Sequence, residues 1–133
     1  MSHNEVVQRL ERDDPLIAVV GATDSPGKYG GIIYRNLKKK GFRVVGVNPR
    51  ASSVDGDRAY ATLADLPEEP DIVDVVVPSR VGIDLIDDVE ALEDGAIWFQ
   101  PGAESDAIRE KLNSSDLPSI VDACIMVVAR PRG

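Results

Sequence analysis

The chain has 133 residues, enough for one domain of ordinary size, and a formal net charge of −8 at pH 7. This charge argues against nucleic acid or an anionic membrane as partners, and because the sequence has no run of about 20 apolar residues, we expect a cytoplasmic protein. One cysteine, Cys124, and one histidine, His3, exclude an internal disulfide and make a zinc site unexpected.

Short apolar runs alternate with amphipathic segments along the chain, which is the pattern of strands and helices in turn. A polar helix is predicted at residues 3–12, and further helices at residues 29–40 and 104–112. Another helix is expected to start at Ser79 as its N-cap and to end at Gly95. Thr62 and Asp65 resemble an N-cap pair that opens one short helical turn. The predicted strands are residues 16–20, 42–47, 72–77, 96–99 and 119–121.

Two segments carry no strong signal. Residues 51–60 read as a loop, and residues 125–128 as a sixth apolar run or an extended tail. The alternation elsewhere predicts an α/β fold: a single doubly wound, Rossmann-like domain with a parallel sheet of about five strands and helices on both faces. We place this domain at residues 15–128, between an N-terminal polar segment at 1–14 and a C-terminal tail at 129–133.

The first loop after a predicted strand, residues 21–31, contains four glycines, which allow backbone N–H groups to approach a phosphate. It is not a GxGxxG fingerprint, because Thr23 stands in place of the second glycine, and it is not a Walker A loop. The loop still predicts a phosphorylated ligand, although a glycine-rich turn without a ligand is the alternative. Ligands of such sheets bind beyond the carboxyl ends of the strands, where strand order reverses.

Charge is unevenly distributed, since the segment from Ser25 to Val54 has no acidic residue. A binding region for anions explains this exclusion, and the helix dipole alone would explain Lys38 to Lys40. The second strand ends in Asn48-Pro49-Arg50, where an NAD-binding domain would usually have Asp or Glu. NAD is therefore disfavoured, and Arg50 suits a phosphorylated adenosine as in NADP or coenzyme A. The basic residues of the segment are Lys28, Arg35, Lys38, Lys39, Lys40, Arg43 and Arg50.

Six segments, in this order and spacing, resemble the small stand-alone CoA-binding proteins, which are similar to the CoA-binding domain of the succinyl-CoA synthetase α subunit. The resemblance spans about residues 15 to 128. The segments that carry it are Ile17-Ala18-Val19-Val20-Gly21-Ala22-Thr23, Gly46-Val47-Asn48-Pro49, the turn from Tyr60 to Leu66, Asp74-Val75-Val76-Val77-Pro78, Trp98-Phe99-Gln100-Pro101-Gly102 and Val121-Asp122-Ala123-Cys124.

The resemblance implies a coenzyme A (or acyl-CoA) site built from several loops. It implies that Gly21, Ala22, Thr23, Ser25, Lys28 and Tyr29 lie near phosphates, Asn48 and Pro49 near the adenosine, Val77, Pro78 and Ser79 beside the ligand, and Gln100 and Gly102 near the thiol arm. Family members often have one arginine after the third strand and another before the cysteine. This chain has Val77-Pro78-Ser79-Arg80 at the first place and Ala123 at the second. The contacts that the two arginines would make are therefore not carried over.

The sequence predicts binding without catalysis, as a carrier or sensor of CoA. The phosphorylated histidine of acyl-CoA synthetases lies in a separate domain, and the histidine of this chain is His3. Cys124 fits a small buried hydrophobe, and a mixed disulfide with the CoA thiol would require it to face the pocket. The alternatives are an NADP-binding redox or regulatory module and a ligand-free interaction domain. A protein partner and a homodimer stay open.

Overall fold

The computed structural model describes residues 2–132, with the backbone alone for Ser2. Helices and strands alternate along the chain as the apolar pattern predicts. The elements are α1 (Ser2–Arg9), β1 (Leu16–Val20), α2 (Tyr29–Lys39), β2 (Arg43–Val47), β3 (Ser53–Val54), β4 (Asp57–Tyr60), a single 3₁₀ turn (Leu63–Asp65), β5 (Ile72–Val75), α3 (Ser79–Glu90), β6 (Ile97–Phe99), α4 (Asp106–Asn113), β7 (Ser119–Ile120) and α5 (Ile125–Val128).

Within residues 2–132 the strands form one seven-stranded sheet in the order β3-β4-β2-β1-β5-β6-β7. All neighbouring strands are parallel except β3, which pairs antiparallel with β4. The chain builds outward from β1 to β2 and β4, and then returns to the other side of β1 to add β5, β6 and β7. Strand order therefore reverses between β1 and β5, which is where ligands bind in sheets of this kind.

Each face of the sheet is covered by helices, as predicted. On one face, Val6 of α1, Ile33 of α2 and Ile125 of α5 pack with Ile17 and Trp98 of the sheet. On the other, α3 and α4 pack against β5 and β6 through residues that include Ile86, Ile108 and Phe99. The predicted doubly wound, Rossmann-like α/β class is confirmed.

The prediction of a loop at residues 51–60 is wrong, because this segment contains the hairpin of β3 and β4. Asp55 and Gly56 form its turn with φ angles of 51° and 80°. Positive φ at both central residues is what a tight two-residue hairpin requires, and Asp-Gly supplies it at low cost. The hairpin accounts for the excess over the predicted number of about five strands.

Two local predictions are wrong: the strand or extended tail at residues 125–128 and the N-cap at Ser79. Residues 125–128 form the single turn α5, neither a strand nor an extended tail. Ser79 is the first residue of α3, and Pro78 occupies the N-cap position without a side-chain hydrogen bond, so Ser79 does not cap this helix. Thr62 does precede a short turn, and its hydroxyl donates to the Asp65 carboxylate at 2.9 Å instead of accepting from the backbone.

Both flanking segments contact the sheet domain. Val6 and Leu10 of the first segment are buried in the core. Near the other end, the Arg132 guanidinium donates to the Leu10 carbonyl at 2.9 Å, and the Arg132 backbone N–H donates to the Lys40 carbonyl at 2.7 Å. The division into 1–14, 15–128 and 129–133 stays a prediction. None of the helices in the described range is long and apolar enough to cross a membrane.

Candidate ligand-binding site at the carboxyl edge of the sheet

A cleft of about 460 Å³ opens at the carboxyl edge of the sheet, on the side of β1 where strand order reverses. The loops after β5 and β6 and the starts of α2 and α5 surround it. The residues that line the cleft are Tyr29, Val76, Val77, Pro78, Gln100, Pro101, Gly102, Ala103 and Cys124.

The structure brings together part of the predicted site. Tyr29, Val77, Pro78, Gln100 and Gly102 line the cleft. Gly21 packs against the lining residue Val76, since a Cβ added at this glycine would lie 3.0 Å from the Val76 carbonyl oxygen. The remaining predicted residues lie outside the lining: Ala22, Thr23, Ser25, Lys28, Asn48, Pro49, Arg50 and Ser79.

Two glycines set the path of the loop at residues 21–31. Gly21 has a φ of 104°, a conformation that side chains disfavour. Gly30, in the first turn of α2, packs so closely on this loop that an added Cβ would overlap the Gly21 carbonyl oxygen. The N-terminus of α2 is thereby drawn onto the end of β1, where its free N–H groups face the carboxyl edge of the sheet.

Asn48 connects this loop to the end of β2. Its side-chain amide donates to the Ala22 carbonyl at 3.0 Å, and its side-chain oxygen accepts from the Arg50 N–H at 2.9 Å. Thr23 and Ser25 bond to each other, with the Ser25 N–H donating to the Thr23 hydroxyl at 3.1 Å. The Asn48-Pro49-Arg50 turn and the glycine-rich loop are therefore held side by side.

The acid-free segment does not act as one basic surface. Lys38 pairs with Asp57 at 2.9 Å and with Asp55 at 3.1 Å, so it fastens α2 to the hairpin, and its hydrogen bond lowers the pKa of Asp57. The Lys40 ammonium donates to backbone carbonyls of the C-terminal segment, and Arg43 pairs with Glu68 at 2.7 Å.

Four exposed cations of the segment, Lys28, Arg35, Lys39 and Arg50, stay unpaired in the described part of the chain, and Lys28 and Arg50 adjoin the loops predicted to bind the ligand. The Lys28 and Arg50 side chains are exposed and make no hydrogen bond or ion pair within residues 2–132. Lys28 directly precedes α2, and Arg50 lies on the turn that Asn48 ties to the glycine-rich loop. Both therefore stand beside the stretch of backbone that was predicted to face phosphates.

Three hydrogen bonds from β6 and the residue after it hold the start of α5 against the cleft. The Trp98 indole N–H donates to the Ala123 carbonyl at 2.8 Å. The Gln100 amide oxygen accepts from the Ile125 N–H at 3.0 Å, and its amide nitrogen donates to the Cys124 sulfur at 3.2 Å. Gln100 is only 4% exposed, so this bridge is fixed. Cys124 consequently faces the cleft, which the sequence left open.

Asp74 is a buried acid of β5, two residues before the lining residue Val76. Its neighbours in the sheet are Val19 and Trp98. The side chain is 0% exposed, and neither carboxylate oxygen has a hydrogen-bond partner in the described part of the chain. Burial raises the pKa of Asp74 well above its usual value, so the carboxyl group is held in its neutral form.

The family model described as a CoA-binding domain matches residues 16–130 of this chain. The chain belongs to the CoA-binding domain family. This CoA-binding domain is 40% identical over 65 residues to the ADP-forming acetate–CoA ligase II subunit alpha of Pyrococcus furiosus, a match that covers 48% of the domain chain and 14% of the subunit. It is 28% identical over 131 residues to a trans-feruloyl-CoA synthase from an unidentified prokaryote, which covers 96% of this chain and 18% of the synthase.

A solved structure of similar size has the same fold. A conserved hypothetical protein from Pyrococcus furiosus superimposes on this CoA-binding domain with a TM-score of 0.80 and 39% sequence identity, covering 85% of this chain and 97% of the other. By contrast, the chain spans only a small fraction of the ligase and synthase lengths. Sequences similar to this chain thus occur within a longer ligase subunit and a longer synthase and also in a chain of about the same length.

Sequence reasoning did not assign four residues of the cleft lining: Val76, Pro101, Ala103 and Cys124. Pro101 lies between Gln100 and Gly102, both of which were predicted, so the motif at residues 98–102 already indicated that Pro101 lies at the site. Cys124 ends another recognised motif, but its orientation depends on the bridge from Gln100, which no spacing rule reveals. In the described range, no group of three or more His, Cys, Asp or Glu side chains could hold a metal ion.

Proposed function

We propose that this protein binds coenzyme A or an acyl-CoA at the carboxyl edge of its sheet. The observation that carries the proposal is the cleft at the point of strand reversal in a chain of the CoA-binding domain family. The glycine-rich loop and the start of α2 supply backbone N–H groups for the diphosphate. Lys28 and Arg50 supply positive charge beside them.

The cleft suits the pantetheine arm of the ligand. Its walls are mostly apolar, with Val76, Val77 and Pro101 among them. A polar position lies where the Gln100 amide meets the Cys124 sulfur. In this proposal the thiol end of CoA lies at this position, and the adenosine lies near Asn48 and Pro49, where the Asn48 amide contacts the glycine-rich loop.

We propose that this domain acts as a carrier or sensor of its ligand. The named relatives are ligases and synthases several times longer than this chain, so the match covers only a minor part of each. Incubation with acetate, CoA and ATP or ADP tests this: we expect no thioester by mass spectrometry, and turnover would contradict the carrier role.

Thermal unfolding with CoA, acetyl-CoA, NADP and NAD tests the ligand. A ligand that binds only the folded state raises the melting temperature by mass action. At a ligand concentration of 100 Kd it adds about 2.7 kcal/mol to the free energy of unfolding. We expect stabilisation by CoA or acetyl-CoA and a smaller effect of NADP and NAD. Stabilisation by NADP alone would assign a redox or regulatory module, and no stabilisation by any of them would assign a ligand-free interaction domain.

Charge reversal at Lys28 tests the phosphate site. Lys28→Glu should weaken CoA binding about tenfold or more, because it replaces an unpaired cation beside the phosphates by an anion. Lys39→Glu is the matched control, since Lys39 is also exposed but lies at the opposite end of α2. Equal affinities of the two variants by isothermal titration would remove Lys28 from the site.

A further inference from the structure

The exposed large apolar side chains of the described residues either line the cleft or lie one helical turn from a lining residue. In the described part of the chain, the large hydrophobic side chains that stand exposed are Tyr29, Ile32, Val81 and Val127, with Tyr29 64% and Val127 82% exposed. Tyr29 itself lines the cleft, and Ile32 lies one turn further along α2. These four residues are called the apolar rim below.

Backbone hydrogen bonds place the other two rim residues next to the lining. The Val81 N–H donates to the carbonyl of Pro78 at 2.9 Å, and the Val127 N–H donates to the carbonyl of Cys124 at 3.0 Å. Each therefore stands one helical turn beyond a residue that lines the cleft. The rim thus consists of residues from the first turns of α2, α3 and α5, and the start of each of these helices borders the cleft.

Charge is absent from the inner surface of the cleft. No Lys, Arg, Asp or Glu occurs among its described lining residues, and the polar side chains there are those of Gln100, Cys124 and Tyr29. Lys28 and Arg80 are exposed neighbours of lining residues and are not part of the lining. An ionised carboxylate that entered would lose its hydration without gaining a paired cation.

We infer that the site prefers acyl-CoA thioesters with an uncharged, apolar acyl group over free CoA and over dicarboxylic acyl-CoA. The inference rests on the proposed CoA site. With the thiol arm ending at Gln100 and Cys124, an acyl group attached to the sulfur would start against the uncharged lining of the cleft and continue towards the apolar rim. Contact between the two removes apolar surface of both from water, and a free thiol offers no such contact.

Isothermal titration of the full chain with CoA and with acetyl-, butyryl-, hexanoyl- and succinyl-CoA tests the preference. A fully buried methylene is worth about fourfold in affinity, so partial burial should make hexanoyl-CoA bind about tenfold or more tightly than acetyl-CoA. Butyryl-CoA and succinyl-CoA have the same number of acyl carbons, and succinyl-CoA should bind about tenfold more weakly because of its carboxylate.

Substitutions at the rim separate this preference from CoA binding itself. Val127→Ser and Val81→Ser should reduce the hexanoyl-to-acetyl ratio severalfold and leave the affinity for free CoA unchanged. Ala91→Ser, at the far end of α3, is the control and should preserve the ratio.

The possible failures are distinguishable. Equal affinity across the series, with CoA still bound, would overturn the acyl preference and leave the proposed function standing. In that case sedimentation would show whether the rim instead covers a second copy of the chain. Absence of binding by CoA and all four thioesters would overturn both.

Discussion

At the scale of single residues, the largest departure from an ordinary environment is at Asp74. The carboxyl group lies between Val19 and Trp98 with no exposure and without a hydrogen-bond partner in residues 2–132. An acid in such a place stays protonated, because its ionised form would be neither solvated nor paired. The unfolded chain ionises the same group freely near its ordinary pKa of 3.8.

This difference makes stability depend on pH with a defined sign. Because the folded-state pKa is raised, the folded protein binds more protons than the unfolded chain above pH 3.8, and stability falls as pH rises from there. Asp74→Asn removes this titration. The stability of wild type relative to the variant should therefore decrease between pH 4 and 7, by up to about 1.4 kcal/mol per pH unit.

Urea unfolding of both proteins at several pH values measures the slope. Asp88→Asn, a substitution at an exposed acid of α3, is the control and should show a constant difference from wild type. Parallel pH curves for wild type and Asp74→Asn would contradict the buried neutral acid.

Cys124 offers a second residue-scale measurement, since its sulfur lies in the wall of the cleft and is held by Gln100. Saturating CoA should slow alkylation of this thiol by a maleimide about tenfold or more, because the thiol arm would occupy the space in front of it. NAD at the same concentration is the control. An unchanged rate with CoA bound would place the thiol arm elsewhere.

At the scale of elements, the approach of α2 to the end of β1 shapes the site. Gly30 allows this contact, because any Cβ there would overlap the Gly21 carbonyl oxygen. Gly82 of α3 is less restricted, since its added Cβ would meet the side chains of Phe99 and Val75 at 3.2 Å. Side chains can adjust by a few tenths of an ångström, but the backbone of the glycine-rich loop cannot without moving the loop.

Gly30→Ala should therefore destabilise the protein by about 3 kcal/mol, at the upper end of what overpacking costs. Gly82→Ala, the matched helical control, should cost less than about 1 kcal/mol, since the higher helix propensity of alanine offsets part of the crowding. Chemical denaturation measures both, and equal losses would contradict a special role for Gly30.

The elements were predictable wherever a run of apolar residues is long enough to reveal its period. The helix α2 and the strand β1 match the sequence prediction almost to the residue. The hairpin of β3 and β4 was missed because a strand of two residues has no measurable alternation, although its Asp55-Gly56 turn was a legible signal. α5 was missed because a single turn of apolar residues reads equally as strand or helix.

The site was predictable in part for a different reason. Backbone motifs located the loops that surround the cleft, and Tyr29, Gln100 and Gly102 are in its lining, while their contact with CoA stays a prediction. Side-chain partners depend on distant parts of the chain and were not predictable. Lys38 is an example: it lies in the basic segment, yet Asp55 and Asp57 of the hairpin neutralise it.

At the scale of the whole molecule, the N-terminal helix is fastened to the sheet by a buried cation. The Arg9 side chain is 3% exposed, donates to the Asp71 carbonyl at 3.0 Å and pairs with Asp94 at 2.8 Å. Arg12 pairs with the same two acidic residues, but its side chain is 41% exposed. The two arginines therefore share partners and differ in solvent access.

Arg9→Ala should cost about 2–4 kcal/mol in the free energy of unfolding, because it breaks charge-assisted hydrogen bonds in a nearly dry position. Arg12→Ala should cost about 0–1 kcal/mol, the usual range for exposed ion pairs. Unfolding in urea at low and high salt checks both values. A larger loss for Arg12→Ala would show that charge, and not burial, anchors the helix.

The outermost strands of the sheet, β3 and β7, are two residues long. A passing extended chain that tried to pair with either border would find room for only a few backbone hydrogen bonds. Long free borders invite fibril growth and strand exchange, and short ones discourage both. The short border strands and the formal charge of −8 therefore both oppose aggregation.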